Sequence, residues 1–555
     1  MTLQFDRYYR YEELTQHLQT WAEKYPNLCR LDSMGRSYEG RDIWVLTLTN
    51  FETGPDNEKP AFWTDGNIHA TEVSASTAVL HLINKLLTGY GKDEKLTYAL
   101  DSRVIYAVPR LNPDGAEWAL ADIPKYVRSS TRPYPRPDEL DGLHSEDIDK
   151  NGRILQMRVK DPHGPWKIYP DDPRLMVLRA ADDPPGGDYY RVLPEGRLKN
   201  YDGVMIKGAP ALQGLDLNRQ FPVFWEPKEG GAGKYPGSEP ETQAAMRFIA
   251  DHPNITGGIS FHTFSGVHLR PSAKFPDDQL PTSDLRTFQR LGEKATELTG
   301  YPSLSIFHDF NYEPKEFIRG GFDDWLYEHY GLYAWTTEIW SVQQQAGIKD
   351  YKYIDWWREH PLEDDIAIMK WNDDVLDGKG WVDWYEFEHP QLGKIELGGW
   401  DFMVTWRNPP YHLLEKEIAP LSDFVIYSCL ASPKLEWYSV DVESQGNIHH
   451  IRAVVQNSGW LPTHISEKAK EQKVVLPLEI NLDLPDNTRL ITGEAKTMCG
   501  QLAGRDQKWV WSAWSVDSTE DRAKAEWVIE AKPGTEITIT VSHQRAGTLR
   551  KTITL

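Results

Sequence analysis

The sequence predicts an α/β fold, a mixed and largely parallel sheet flanked by helices, followed by an all-β sandwich. Two contrasting textures carry that prediction. Between about 60 and 340, short apolar runs alternate with amphipathic helical patterns, as buried parallel strands and their covering helices do. After about 430, apolar and polar residues alternate between turn signals, as in half-buried antiparallel strands. At 555 residues, with 40% hydrophobic and 12% aromatic content, the chain exceeds one ordinary core and has the composition of folded domains.

The elements follow in order. PAFWTD reads as a buried strand; Val79, Leu82, Ile83, Leu86 and Leu87 then recur at helical spacing until Gly89, and RVIYAV, 103–108, is a second buried strand. From about 132 to 214 the rhythm breaks into a Pro-, Gly- and Asp-rich stretch, which predicts a long loop insertion of the kind that shapes a site. In SEPETQAAMRFIA, Ser238 and Glu241 form a capping-box signature. GGISFH is a short strand, Leu285, Phe288, Leu291, Ala295 and Leu298 make a helix face ending at Gly300, and DDWLYEHYG and YAWTTEIW are a closing helix and strand. Beyond these, LEWYSVDVE, HHIRAVVQNSG and EITITVSHQRAGTLRKTITL are the sandwich strands. The expected division is 1–375, an extension over 376–430 with GKIELGGWDF as a strand, and 431–555.

Charge and cysteines exclude several roles. Sixty-one basic against 83 acidic residues give 61 − 83 = −22, which works against a broad grip on nucleic acid or an anionic membrane. Cys29, Cys429 and Cys499 are too few and too far apart for a disulfide framework or a zinc knuckle, so buried free thiols are expected. The N-terminal MTLQFDRYYRYEEL lacks a secretory pattern, no run of about 18 apolar residues occurs, and a cytoplasmic protein is the default expectation.

The chemistry begins at GNIHATE, residues 66–72, where His69 and Glu72 stand three apart as an apolar run gives way to a helix. A lone His-x-x-Glu is a weak signal, equally readable as polar residues at a helix end. A catalytic zinc keeps three protein ligands and an open position, so a third donor must come from elsewhere. His262 ends the strand GGISFH, and the C-terminal ends of parallel strands are where such sheets place their sites. Asp216, in GLDLNRQFP, could accept the second N–H of a ligand histidine.

GNIHATE, PRLNPDGAEWA, GLDLNRQFP, GISFHTF and GGFDDWLYEHYGLYAWTTEIW occur in the order and roughly at the intervals of the zinc metallocarboxypeptidases of the carboxypeptidase A and B type, which residues 8–345 therefore resemble. The resemblance implies an eight-stranded-type sheet, Zn²⁺ held by His69, Glu72 and His262, and Glu338 as catalytic acid/base. It implies that Asn218 and Arg219 bind the substrate's terminal carboxylate, a task suited to a planar guanidinium, and that Arg128 polarises the scissile carbonyl, with Arg132 close enough to compete. The implied substrate is a peptide or peptide-like molecule with a free C-terminal carboxylate. Independently of the family, Glu338 lies in an aromatic and apolar strand, where a carboxylate needs a cation or hydrogen bonds to be buried.

Two positions depart from or qualify the pattern. Where the family places a mobile substrate-capping tyrosine, this chain has Glu316, an acid that would disfavour a nearby carboxylate; Tyr312 is the alternative from an altered loop. Asp323 matches the pocket-base acid that accompanies preference for C-terminal Lys or Arg, but it also stands at a helix start, where an aspartate caps or compensates the dipole. In the insertion, Asp147, Asp149 and Asn151 are spaced like the start of a Ca²⁺ loop, while its twelfth position is Arg158 rather than an acid, so an Asx-rich turn competes. His449-His450 and the Trp-rich stretches 335–357 and 509–514 are expected to pack rather than bind. Two alternatives to a carboxypeptidase are a zinc amidase on acyl-amino acids or cell-wall peptides and a non-catalytic binding protein.

Overall fold

The computed structural model describes residues 3–555 apart from 314, 509–513 and 515. Its central sheet has eight strands in the spatial order Cys29–Arg36, Asp42–Leu48, Val104–Val108, Ala61–Gly66, Ile255–Thr263, Tyr333–Ile339, Val267–Arg270, Ser303–Ser305. The four middle strands are parallel, and antiparallel pairs lie toward both edges. Every residue of Ala61–Gly66, Val104–Val108 and Ile255–Thr263 is buried, which is why these strands read as continuous apolar runs.

Alternate residues of one strand feed two cores. Ile105 and Ala107 join the core that contains helix Val73–Gly89, while Val104, Tyr106 and Val108 join the one containing Phe322, Trp325 and Leu326 of helix Phe322–Tyr330. Helices on both faces thus hold the sheet edge-on to solvent, with the C-terminal ends of its parallel strands at one rim. Helix Tyr411–Leu430 completes the first core through Leu414, Ile418, Leu421, Phe424 and Val425. Helix Pro240–Asp251 departs from the expected capping box: Glu239 takes the cap position with Pro240 at the first helical turn, and Ser238 Oγ bonds the Glu239 carboxylate instead.

The insertion differs more. It carries six short strands, among them Gln156–Lys160, Trp166–Ile168, Met176–Leu178 and Tyr189–Pro194. Gln156–Lys160 pairs antiparallel with Gly393–Trp400 of the extension, so two segments far apart in sequence build one six-stranded sheet. Strands of three to six residues between turns leave too few alternations to stand out from a loop composition. At the C-terminal end, two four-stranded antiparallel sheets, one holding Leu435–Gln445 and the other Glu479–Asp483, share a core around Trp527, Ile480 and Ile539. His449 packs there, bonded to Ser444 Oγ and the Ala531 carbonyl, whereas 509–514 falls almost wholly outside the described residues. Cys29 and Cys429 are buried free thiols and Cys499 is half-buried. Among the described residues no helix is long and apolar enough to cross a membrane.

Candidate active site

The turn that carries GNIHATE is built before any ligand is considered. A Cβ on Gly66 would lie 2.6 Å from the Ala75 carbonyl oxygen, so helix Val73–Gly89 can approach the strand end only over a glycine. Asn67 takes a left-handed φ of 62°, and its amide donates to the His69 carbonyl at 2.6 Å, fixing the turn that presents His69 and Glu72. His262 arrives on the adjacent parallel strand, paired in register with Glu338 on the next.

His69, Glu72 and His262 are all buried, and their ligand atoms lie within 4.8 Å of one another. His69 Nδ1 is 3.0 Å from Glu72 Oε1, His262 Nδ1 is 3.0 Å from Glu72 Oε2, and the two Nδ1 atoms are 3.1 Å apart. Ligands about 2.1 Å from a tetrahedral zinc would be separated by about 3.4 Å, so this His₂Glu cluster converges at close to the spacing a small divalent cation needs. Two imidazole nitrogens aimed at one carboxylate and at each other are the donor set zinc prefers. Burial opposes ionisation of Glu72, but the two histidines outweigh it and hold its carboxyl well below the usual range.

Both histidines have partners on their far ring nitrogens. His69 Nε2 lies 3.1 Å from Asp216 Oδ1, the position expected of Asp216, and Asp216 Oδ2 accepts from Arg128 Nε at 2.9 Å. His262 Nε2 is 3.4 Å from Ser260 Oγ, which donates to the buried Asp65. Ser260 and Asp65 belong to no motif, and their one signal in the sequence is Ser260 standing two residues before His262, hence on the same strand face.

A cavity of about 700 Å³ opens over this cluster, lined by Glu72, Arg128, Asp216, Arg219, Tyr312 and Glu338 among others. Glu338 Oε2 is buried without a hydrogen-bond partner. Burial, and then the charge of Glu72, push the Glu338 carboxyl up to about 7. Arg128 lies in the cavity, 3.5 Å from Glu72 Oε1, whereas Arg132 ion-pairs with Glu239 at 3.0 Å and stacks on Tyr38. Asn218 Oδ1 accepts the Phe322 backbone N–H, leaving Nδ2 as its donor end, and Arg219 donates to the Asn218 carbonyl at 2.8 Å.

The qualified positions separate as well. Glu316 is paired with Arg319 at 3.2 Å and is not among the cavity-lining residues, so its charge is compensated; Tyr312 is on the cavity wall, its ring in the field of Arg219 and Arg128. Asp323 is the second residue of helix Phe322–Tyr330, whose cap is Gly321, so it does not cap but keeps the dipole-compensating place in the first turn. It is buried, with Oδ2 unpartnered, but it does not line the 700 Å³ cavity.

The calcium expectation finds no support. Asp147 and Asp149 do approach each other, with Glu195 rather than Asn151 as the third oxygen donor. Yet Asp147 accepts the backbone N–H groups of Asn151 and Gly152, Glu195 those of Ile148 and Leu155, and Asp149 that of Asn151. Asn151 is spent on Asp149, Tyr385 and Arg153. This is an Asx-rich turn that has satisfied its own carboxylates.

A family model for zinc carboxypeptidases matches residues 14–151 and 189–355. The chain belongs to the zinc carboxypeptidase family. Within the family, carboxypeptidase B of Astacus astacus is 24% identical over 347 residues, covering 60% of this chain and 86% of the relative. Carboxypeptidase A2 of Mus musculus is 35% identical over 344 residues, 60% of this chain and 63% of the relative. The zinc carboxypeptidase of Saccharothrix mutabilis subsp. capreolus is 35% identical over 114 residues, a match spanning only 26% of that protein. Among solved structures, carboxypeptidase A from Helicoverpa armigera aligns at 19% identity and a TM-score of 0.39, over 68% of this chain and 74% of that one. Residues 434–554 match a domain family of unknown function.

Arg407 and Phe402, which line the same cavity, fall outside the matched family segments. Nothing in the family motifs signals them; they belong to the extension, and only folding brings them to Glu72. Trp357 also lines the cavity, against the expectation that stretch 335–357 only packs, although Trp335 and Trp340 are fully buried.

Proposed function

We propose that this chain hydrolyses the C-terminal amide bond of peptides as a zinc-dependent metallocarboxypeptidase. The observation that carries the reading is the unpartnered, buried Glu338 oxygen beside the converged His69, Glu72 and His262. A zinc held by those three residues would supply Lewis acidity at the scissile carbonyl and acidify the attacking water. Glu338 takes that water's proton and returns it to the departing amine; a carboxyl raised toward neutrality suits both transfers. Arg128, held at Nε by Asp216, directs its remaining N–H groups at the oxyanion that develops on the carbonyl oxygen. Arg219 and the Asn218 amide hold the terminal carboxylate, which fixes the cleaved bond one residue from the chain end. Tyr312 closes over the bound residue in place of the tyrosine that Glu316 replaces. A preference for a basic C-terminal residue would need that side chain to reach the unpartnered Asp323 oxygen, which lies outside the cavity lining. The division at 375 and 430 is part of the same proposal.

The test is zinc re-addition to chelator-treated protein with matched peptides bearing free or amidated C-termini. Release of a terminal residue from the free peptide alone is the expected result. Cleavage indifferent to amidation would replace the reading with a broader amidase, and zinc uptake with no turnover across a peptide library would replace it with a binding protein.

A further inference from the structure

A second cavity of about 940 Å³ adjoins the catalytic one and shares Trp357, Arg358 and Phe402 with it. Seven of the chain's 22 tryptophans line it, drawn from three segments. The insertion contributes Leu155, Met176 and Leu178, helix Tyr353–Arg358 contributes Trp356 and Trp357, and the extension contributes Trp384 and Trp406. The cavity therefore lies against the sheet that insertion and extension build together.

Two of these tryptophans have their polar edges occupied, while Trp381 Nε1 is buried without a partner. Trp384 Nε1 donates to the Arg174 carbonyl at 3.0 Å and Trp356 Nε1 to Asp364 at 2.7 Å, so these indole donors are consumed inside the protein. Arg174, Arg358, Glu359, His360 and Asp365 also line the hollow, but Arg174 is paired with Asp172 and Asp373, Arg358 with Asp355 and His360 with Asp365, so the unspent wall is largely apolar and suited to a bulky apolar guest. The partition between the two cavities is the π-helical turn Phe402–Arg407. Trp406 faces the second cavity, Arg407 the first, and Phe402 both. Arg407 is clamped there: its guanidinium lies 4.7 Å over the Phe264 ring and 5.4 Å over Phe402, and it donates to the Thr263 carbonyl at 3.3 Å.

A peptide whose terminal carboxylate is pinned at Arg219 has only its upstream residues left to extend beyond the catalytic cavity. We propose that the tryptophan-lined cavity is an acyl-side subsite that takes an apolar or aromatic group lying two or more residues before the cleaved bond. The proposal rests on the carboxypeptidase reading for the direction of the substrate, and continuity through Trp357 and Phe402 supplies the path. It makes the insertion and the extension, rather than the family core, the part of this chain that selects long substrates.

Two variants test it without touching the catalytic groups: Trp384→Ala, and Leu178→Glu at a side chain that is 65% exposed and so carries little folding risk. The probes are an acylated dipeptide, a hexapeptide with Phe at its third and fourth positions from the C-terminus, and the same hexapeptide with Ser there, all ending in Arg. Binding is read by indole fluorescence in a Glu338→Gln background and kcat/KM in the active enzyme. Both variants are expected to weaken binding and kcat/KM for the Phe hexapeptide about tenfold, the scale of one lost apolar contact set, and to leave the dipeptide and Ser hexapeptide unchanged. Equal losses on all three probes, no loss on any, or saturable binding of chitohexaose with none of the Phe hexapeptide would overturn it. If neither these probes nor a peptide library with varied C-terminal residues is hydrolysed by the active enzyme, the carboxypeptidase reading fails, while the binding comparison still decides whether the cavity accepts the apolar peptide.

Discussion

Among the described residues, two clusters bring carboxylate or imidazole ligand atoms within 4.8 Å of one another, and they differ in what their oxygens already do. Around His69, Glu72 and His262, nitrogens and carboxylate oxygens face one another, and the neighbouring Glu338 keeps an oxygen with no partner. Around Asp147, Asp149 and Glu195, each carboxylate accepts backbone N–H: Asp147 and Asp149 from their own turn, Glu195 from Ile148 and Leu155 across from it. An orphaned buried oxygen is costly unless something outside the chain completes it; a satisfied one needs nothing. Proximity of acids is therefore weak evidence for a site, and the hydrogen-bond account of each oxygen is the stronger kind.

The sharpest way to break the first half of the comparison is Glu338→Gln. The amide keeps the shape and cannot take a proton, so turnover on a peptide with a free C-terminus is expected to fall roughly 10²–10⁴-fold, with zinc content by metal analysis unchanged. Turnover near that of the parent would remove Glu338 from the mechanism. A smaller effect is expected from Asp216→Asn. Loss of the charge at His69 Nε2 and Arg128 Nε leaves the ligands in place but less firmly oriented, with zinc affinity dropping about 10–100-fold in a competition titration. An unchanged affinity would mean that Asp216 serves Arg128 alone.

How much of this was legible beforehand follows the same division. The buried parallel strands announced themselves as unbroken apolar runs and the helix ending at Gly89 by a periodicity sustained over its length, and the donors of the His69, Glu72 and His262 cluster stand at strand ends where the topology must place them. His69 and Glu72 are close in sequence, and His262 marks a strand terminus, so three residues sufficed to suggest convergence. The insertion's strands were illegible because each is too short to show a period, and the partner of Gln156–Lys160, Gly393–Trp400, lies more than 190 residues further along the chain. Arg407, Phe402 and the tryptophan cavity depend on that same long-range pairing. For Asp147, Asp149 and Asn151 the spacing was visible, but whether a carboxylate would meet a cation or its own backbone depended on turn geometry that spacing does not encode.

The second cluster offers the smallest expected effect and the cleanest contrast. Burial, against its two backbone donors and reinforced by Asp149 and Asp147, pushes the Glu195 carboxyl up to about 7. Its folded value is thus above the value near 4.5 of the unfolded chain, and the native state holds this proton more tightly. The linked stabilisation is fully present below about pH 4.5 and is lost as pH rises toward 7. A calcium ion bound there would reverse that trend, holding the carboxylates ionised and raising thermal stability in proportion to the logarithm of its concentration. Since the turn satisfies itself, millimolar Ca²⁺ is expected to leave the melting temperature unchanged at pH 8, whereas zinc added to chelator-treated protein raises it; at a hundredfold excess over its dissociation constant a ligand of the native state adds about 2.7 kcal/mol. A calcium-dependent rise at pH 8 that disappears in Glu195→Gln would show that the backbone donors yield to the ion, and the distinction between the two clusters would then rest on affinity rather than on completeness.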